Sequence, residues 1–453
     1  MSFETLKLAA AIAVLSSLLP IQAQAKVDAK EAARLGQDLT PTGAIKAGDS
    51  ALGIPEWKGG LSSPPASYKA GGFETDPFAD QKPILVIDAS NYKQYQDKLS
   101  DGVKALFAAY PNTFKIPVYP TERTYAAPKE VYENTAKNAV NAELVEGGNG
   151  FTNAYGGIPF PIPKSGLEAI WNHIARWRGL QSKDISSVAS VYENGSVSSY
   201  REMNEFFQNY YAPGKDASSI GNILFKYMNR VLPPSRFAGE IYLVHETINQ
   251  VKEPRMAWTY MSGQRRVRRA PTVGYDTPDT GRLYDDNDMF NGAPDRFTWK
   301  IVGVKPYYVP YNNYKMGEQG LKYEDVLHRS HVNPDVTRWE MHRVWVVEAD
   351  LKPGERHVYS KRRLYLDEDS WAALMAESYD NRGNLWRVSL AFSKEAYQVP
   401  TMAYENIAYL DMTTRDYVLT ALRTQEKTPK IYDMPIPPDD YWSPANLRRI
   451  GTK

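Results

Sequence analysis

RMAWTYMSGQRRVRRAPTVGYDTPDTGRLYDDND, residues 255–288, is the stretch on which the reading of the fold turns. Met256, Trp258 and Tyr260 alternate with Ala257, Thr259 and Met261; Ser262-Gly263 then offers a tight turn, and QRRVRRA runs back. Period two on both sides of a turn signature predicts a β-hairpin. A two-residue loop pairs Met261 with Gln264, Tyr260 with Arg265, Trp258 with Val267 and Met256 with Arg269. One face then carries Met256, Trp258, Tyr260 and Val267, with Arg265 and Arg269 at its edge, where guanidinium stacks on aromatic rings. Such a face is either core or the wall of a cavity for an apolar molecule with a polar head.

The same period continues on both sides. Strands are expected over 241–251, 297–304, 338–349, 357–367, 371–379, 384–393, 403–411 and 417–424, joined by short turns such as LKPGE, DEDS and DNRG. Trp299, Trp345, Tyr365 and Trp386 spread the aromatic character over successive strands. Before residue 239 the pattern is helical. Helices are expected at 92–109, 129–140, 201–211 and 219–231, and above all at 165–177. There Ser165 and Glu168 form a capping box, and Leu167, Ile170, Trp171, Ile174 and Trp177 one apolar stripe. Helices first and strands second reads as α+β: a large antiparallel sheet covered by helices.

Outside this body, residues 26–160 read as a Pro/Gly-punctuated N-terminal arm with helices packed on it, and 161–427 as helices plus sheet. Residues 428–453 are a Pro-rich tail. Residues 1–25 have the form of a cleaved secretory signal: Lys7, an apolar run from Leu8 to Leu19, and Ala23-Gln24-Ala25. No later run reaches transmembrane length, so the expected location is the periplasm of a Gram-negative cell, without a membrane anchor. The absence of cysteine removes disulfides, thiolate metal sites and lipoprotein acylation. Lys and Arg number 54 against 53 Asp and Glu, so no global field draws the chain to nucleic acid.

Catalytic signatures are absent. The six histidines make no H-E-x-x-H, and no G-x-S-x-G is present. GGNGFTNAYGG at 147–157 lacks the Lys-Ser/Thr of a phosphate loop. Asp276, Asp279, Asp285, Asp286 and Asp288 miss the calcium-loop spacing, and the expectation is that they pair with Arg265, Arg266, Arg268 and Arg269. No cofactor and no metal is expected, and the chain reads as a non-enzyme.

Several longer motifs carry a resemblance: GGIPFPIPKSGLEAIWNH with RWRG, AWTYMSGQRRVRRAP, DRFTWK with VPYN, RWEMHRVWVVEADLKPGERHVYSKRRLYLDEDSW, and YDNRGNLWR. Over nearly the whole mature chain they resemble a proteobacterial family of unknown function whose members are called outer-membrane-lipoprotein-sorting-like. More distantly, that family is similar to the LolA/LolB lipoprotein carriers. The resemblance implies a curved, incompletely closed antiparallel sheet wrapped over helices, with an apolar cavity for acyl chains. It also implies a setting beside RND-type exporters and an outer-membrane protein. The expected function is carriage of a lipid or other lipophilic ligand, with Trp258, Tyr260, Arg265, Arg269, Trp299, Trp345, Tyr365 and Trp386 lining the cavity. Two other readings are an accessory subunit of an exporter with a filled core and, with less in its favour, a periplasmic hydrolase.

Overall fold

The computed structural model describes residues 27–270, 275–432 and 434–451. Residues 1–25, where a cleaved leader is expected, lie outside them. Fifteen strands form one sheet. In chain order they are β1 (Leu85–Ile87), β2 (Ile116–Val118), β3 (Gln181–Val191), β4 (Val197–Phe207) and β5 (Ile223–Val231). Then come β6 (Ile241–Thr247), β7 (Met256–Met261), β8 (Arg266–Arg269), β9 (Phe297–Pro310) and β10 (Trp339–Leu351). The last five are β11 (Lys361–Asp367), β12 (Ala373–Tyr379), β13 (Leu385–Glu395), β14 (Met402–Asp411) and β15 (Tyr417–Leu422).

Two antiparallel meanders, β3–β8 and β9–β15, are sewn together where β15 pairs β3 through Leu419↔Ala189 and Val418↔Ser190. The order is β1-β2-β10-β11-β12-β13-β14-β15-β3-β4-β5-β6-β7-β8, with β9 along the other side of β10. A single parallel bridge, Val118↔Trp339, ties β2 to β10. Every other pairing in the sheet is antiparallel. β1, β8 and β9 each have an unpaired side, so the sheet is open. The expected α+β class with a large, incompletely closed antiparallel sheet is the observed one.

Four helices of eight residues or more pack on it: α1 (Asp101–Ala109), α2 (Lys129–Asn141), α3 (Gly166–Ala175) and α4 (Pro444–Gly451). Ser165 Oγ caps α3 by accepting from Glu168 N at 3.2 Å. The helix is more than amphipathic: Asn172 and His173 are buried along with its apolar stripe. Gly166 is required there, because a Cβ would lie 2.4 Å from the Lys300 backbone nitrogen. α3 and residues 285–290 fill one face of the sheet, against Trp299, Trp345, Arg362 and Tyr409. α1 and α4 cover the other face, α1 at Val388 and α4 at Tyr260. None of the helices is long and apolar enough to cross a membrane among the described residues.

Three expectations fail. Residues 201–211 and 219–231 are strands β4 and β5, with only a short 3₁₀ turn at Asn209–Tyr211. Leu224 and Met228 are four apart, a spacing that satisfies period two as well as a helical turn. Pairing on both flanks, to β3 and β6, decides for the strand. The hairpin register also differs: Tyr260 faces Val267 and Trp258 faces Arg269, across a four-residue turn. Arg265 therefore sits in that turn at φ 50° rather than beside Tyr260. Finally, the aspartates do not pair with the hairpin arginines. Asp285 and Asp286 bind Arg362, Asp288 binds Arg176 and Arg178, and Asp279 binds Arg282. Residues 285–288 turn inward across the sheet, toward arginines 76 to 112 residues away in sequence, which spacing alone does not reveal.

Candidate functional site

The N-terminal arm is fastened to the body by a buried charge cluster at the DEDS turn. Arg123 is 7% exposed and makes a bidentate bond to Asp369, with Nε to Oδ2 at 2.9 Å and Nη2 to Oδ1 at 2.7 Å. Its remaining donors reach the arm carbonyls of Ile45 at 2.9 Å and Lys46 at 3.1 Å. Arg343 donates to Glu368 at 2.7 Å and to the carbonyls of Ile45 and Ala47, both at 2.9 Å. Thr42 Oγ1 donates to the Asp369 carbonyl at 2.7 Å, and Trp371 Nε1 donates back to the Thr42 carbonyl at 2.9 Å. An irregular arm has no ladder partners, so its backbone carbonyls are satisfied here by guanidinium forks.

This crowding has an electrostatic consequence. Burial first, and the neighbouring Asp369 next, push the Glu368 carboxyl up to about 8; burial and Asp369 push Asp367 up to about 6. Both acids hold a proton more tightly in the folded chain than in the unfolded one. Their contribution to stability is therefore full below the ordinary carboxylate range and is lost as pH rises through about 6 to about 8. The melting temperature should fall between pH 5 and pH 9, and Glu368→Gln should flatten that fall; a variant whose slope matches the parent would contradict the assignment.

Held in this way, the arm segment from Gly48 to Glu56 forms one wall of a groove of about 720 Å³. The segment closes on itself, Asp49 N donating to Ile54 O at 2.7 Å and Ile54 N to Asp49 O at 3.0 Å. The opposite wall and floor are Ile84 and Leu85 at the start of β1, Val118 to Thr121 after β2, Tyr308 of β9 and Met341 of β10. Leu52, Ile54, Ile84, Leu85, Val118 and Met341 make it chiefly apolar, with Tyr119 and Tyr308 presenting rings. The Arg338 guanidinium lies 4.7 Å from the Tyr119 ring centroid, behind the floor. Asp49, Ser50 and Glu56 give the arm side a polar rim. Ile84 is 69% exposed, the most open large apolar side chain described. With an open mouth and an apolar floor, the groove can bind by area burial, while its rim sets which end of a ligand stays in water.

The eight residues expected to line a cavity are distributed differently. Trp258 and Tyr260 lie on the face covered by the C-terminal segment: Tyr260 is 1% exposed and packs with Trp442 and Leu447. Arg269 stands opposite Trp258, and Arg265 is in the exposed turn. Trp299 and Trp345 share the α3 side of the sheet. Trp299 Nε1 donates to Pro294 O at 2.9 Å, and Trp345 stacks on Trp371 with centroids 5.4 Å apart. Tyr365, on the opposite face, donates to Glu377 at 3.1 Å, and Trp386 Nε1 donates to Asp411 at 2.9 Å. None of the eight is among the groove's lining residues. The groove residues that sequence reading passed over do leave one trace: the apolar run ILVI at 84–87 follows Pro83 directly and has no polar alternation.

Together these features define an α+β protein on one open, mostly antiparallel sheet, with an apolar groove under its N-terminal arm. The chain belongs to the DUF1329 family, described as a protein of unknown function, which matches residues 86–448. A Pseudomonas aeruginosa protein described as uncharacterized is 46% identical over 443 residues, covering 96% of this chain and 97% of the relative. Among solved structures, a Vibrio parahaemolyticus domain named for outer membrane lipoprotein sorting matches at 14% identity and TM-score 0.42, over 63% of this chain and 98% of that one. A LolA superfamily protein from Nitrosomonas europaea matches at 11% identity and TM-score 0.36, over 62% and 98% of the two chains. The resemblance of the sequence motifs to a family of unknown function holds through the family match alone.

Proposed function

We propose that the protein is a periplasmic carrier that holds the apolar part of a lipid or other lipophilic ligand in the groove beneath its arm. Its partners in this reading are an RND-type exporter and an outer-membrane protein, and its role is binding rather than catalysis. The observation that carries the reading is the groove itself. At about 720 Å³ it falls in the size range of small-molecule sites, and its lining is chiefly apolar. The leader-like residues 1–25 support the location. The reading moves the ligand away from the Trp258–Tyr260 face, which α4 already covers.

A second reading has an observation of its own. The face of the sheet that would be the hollow of an empty carrier is occupied by α3 and residues 285–290, which suits an accessory subunit with a filled core. Titration with a fluorescent fatty acid separates the two. Saturable binding is expected, weakened at least about tenfold by Leu52→Glu or Ile84→Glu, since each places a charge where apolar contact provides roughly 25 cal/mol per Å². Both positions are partly or largely exposed, so folding is retained. Absence of binding, or binding indifferent to both changes, would favour the accessory subunit.

A further inference from the structure

Among the described residues, the arginines of the opening hairpin are left without acidic partners. Arg265, Arg266, Arg268 and Arg269 are all exposed, and among the described residues the only side-chain bond they make runs from Arg268 Nη2 to Gln264 at 2.9 Å. None has a carboxylate partner among the described residues. The turn between β5 and β6 lies beside them: Ser262 Oγ donates to the Ala238 carbonyl at 3.3 Å. That turn, LPPSRFAG at 232–239, carries exposed Arg236 and Phe237, with the guanidinium 4.6 Å from the ring centroid and Phe237 47% exposed. On the adjoining strands Tyr242 is 41% exposed, opposite Thr259, which in turn faces Arg268. Glu240, directly after this turn, accepts from the Tyr242 hydroxyl at 3.0 Å.

From this juxtaposition we propose that the end of the sheet formed by the 232–239 and 262–265 turns and β8 docks on an anionic phospholipid surface. Charge on an edge strand also blocks edge-to-edge pairing, which accounts for arginines on β8. It does not account for Arg236 and Phe237 on the neighbouring turn. Five guanidinium groups with no carboxylate partner among the described residues, and an exposed ring on the turn beside them, match a phosphate-rich interface: the forks take phosphate oxygens and the phenyl ring enters the acyl boundary. The chain's net charge is only +1, so the attraction is local and orients the molecule with this end toward the bilayer. The inference is independent of whether the groove is loaded.

The test is flotation of the full chain with vesicles. Binding is expected to vesicles of phosphatidylethanolamine and phosphatidylglycerol at low salt, to weaken as salt screens the charges, and to be minor on phosphatidylcholine alone. Each of Arg236→Gln, Arg265→Gln, Arg266→Gln and Arg269→Gln should lower partitioning about fivefold, and the four together on the order of 10²-fold or more. Phe237→Ser should lower the part that survives high salt. All five side chains are exposed, so melting temperature and fatty-acid binding should be unchanged, which separates this failure from failure of the carrier reading. Equal binding to neutral vesicles, or unchanged binding by the single and fourfold variants, would overturn the proposal. So would no binding to anionic vesicles, which would leave the arginines to an acidic protein partner.

Discussion

Arg123→Met is expected to cost about 3–5 kcal/mol and to free the arm, so that limited proteolysis cuts between residues 45 and 57 at protease levels that leave the parent intact. The size follows from what stays behind. Asp369 is 1% exposed and Glu368 2%, and with the guanidinium gone Asp369 has no cationic partner among the described residues while Glu368 keeps only Arg343 of them. The carbonyls of Ile45 and Lys46 lose a donor as well. Methionine fills much of the volume, so the loss reports charge and hydrogen bonding rather than a cavity. Thermal melts and a protease time course check both halves; a variant that melts within a degree of the parent with the arm still protected would contradict the clamp.

An effect of similar size, about 3–5 kcal/mol, is expected for Asp288→Asn. Asp288 is the carboxylate shared by Arg176 at 2.5 Å and Arg178 at 2.7 Å, and Arg176 is 2% exposed. Its backbone sits at φ 54°, a conformation asparagine tolerates, so the substitution tests charge alone. Burial works against the ionised form, yet the two guanidinium groups prevail and hold the carboxyl down at about 2. Its contribution is therefore present above the ordinary carboxylate range and is lost only as pH falls through about 2. From neutral pH down to about 4 the gap between parent and variant melting temperatures should stay constant. A gap that closes well above that range would show that Asp288 is not the ionised partner.

How far the chain could be read from its residues depended on which interactions were local. The meander from β9 to β15 was legible almost strand by strand, because alternation and short turns are both nearest-neighbour properties; Lys361–Asp367 and Ala373–Tyr379 fall inside their expected ranges. The helix α3 was legible from Ser165 and its stripe for the same reason. β4 and β5 were not, since a four-residue apolar spacing fits either period and only the flanking strands decide between them. The hairpin existed where alternation placed it, but the register is shifted by two residues, so Val267 rather than Arg265 faces Tyr260, and turn length is poorly encoded when the loop is SGQR. The Asp–Arg pairing and the groove were least legible. Both are made by segments far apart in sequence: Asp286 with Arg362, and the 48–56 arm with Tyr308 and Met341.

The central claim is that the ligand lies under the arm, and photo-crosslinking with a diazirine fatty acid, mapped by peptide mass spectrometry, tests it most directly. Adducts are expected on residues 48–56, 84–85 and 118–121 and on Tyr308 or Met341, and are lost in Leu52→Glu. Adducts confined to the β7–β8 hairpin or to the strands around α3, with the 48–56 arm unlabelled, would contradict it.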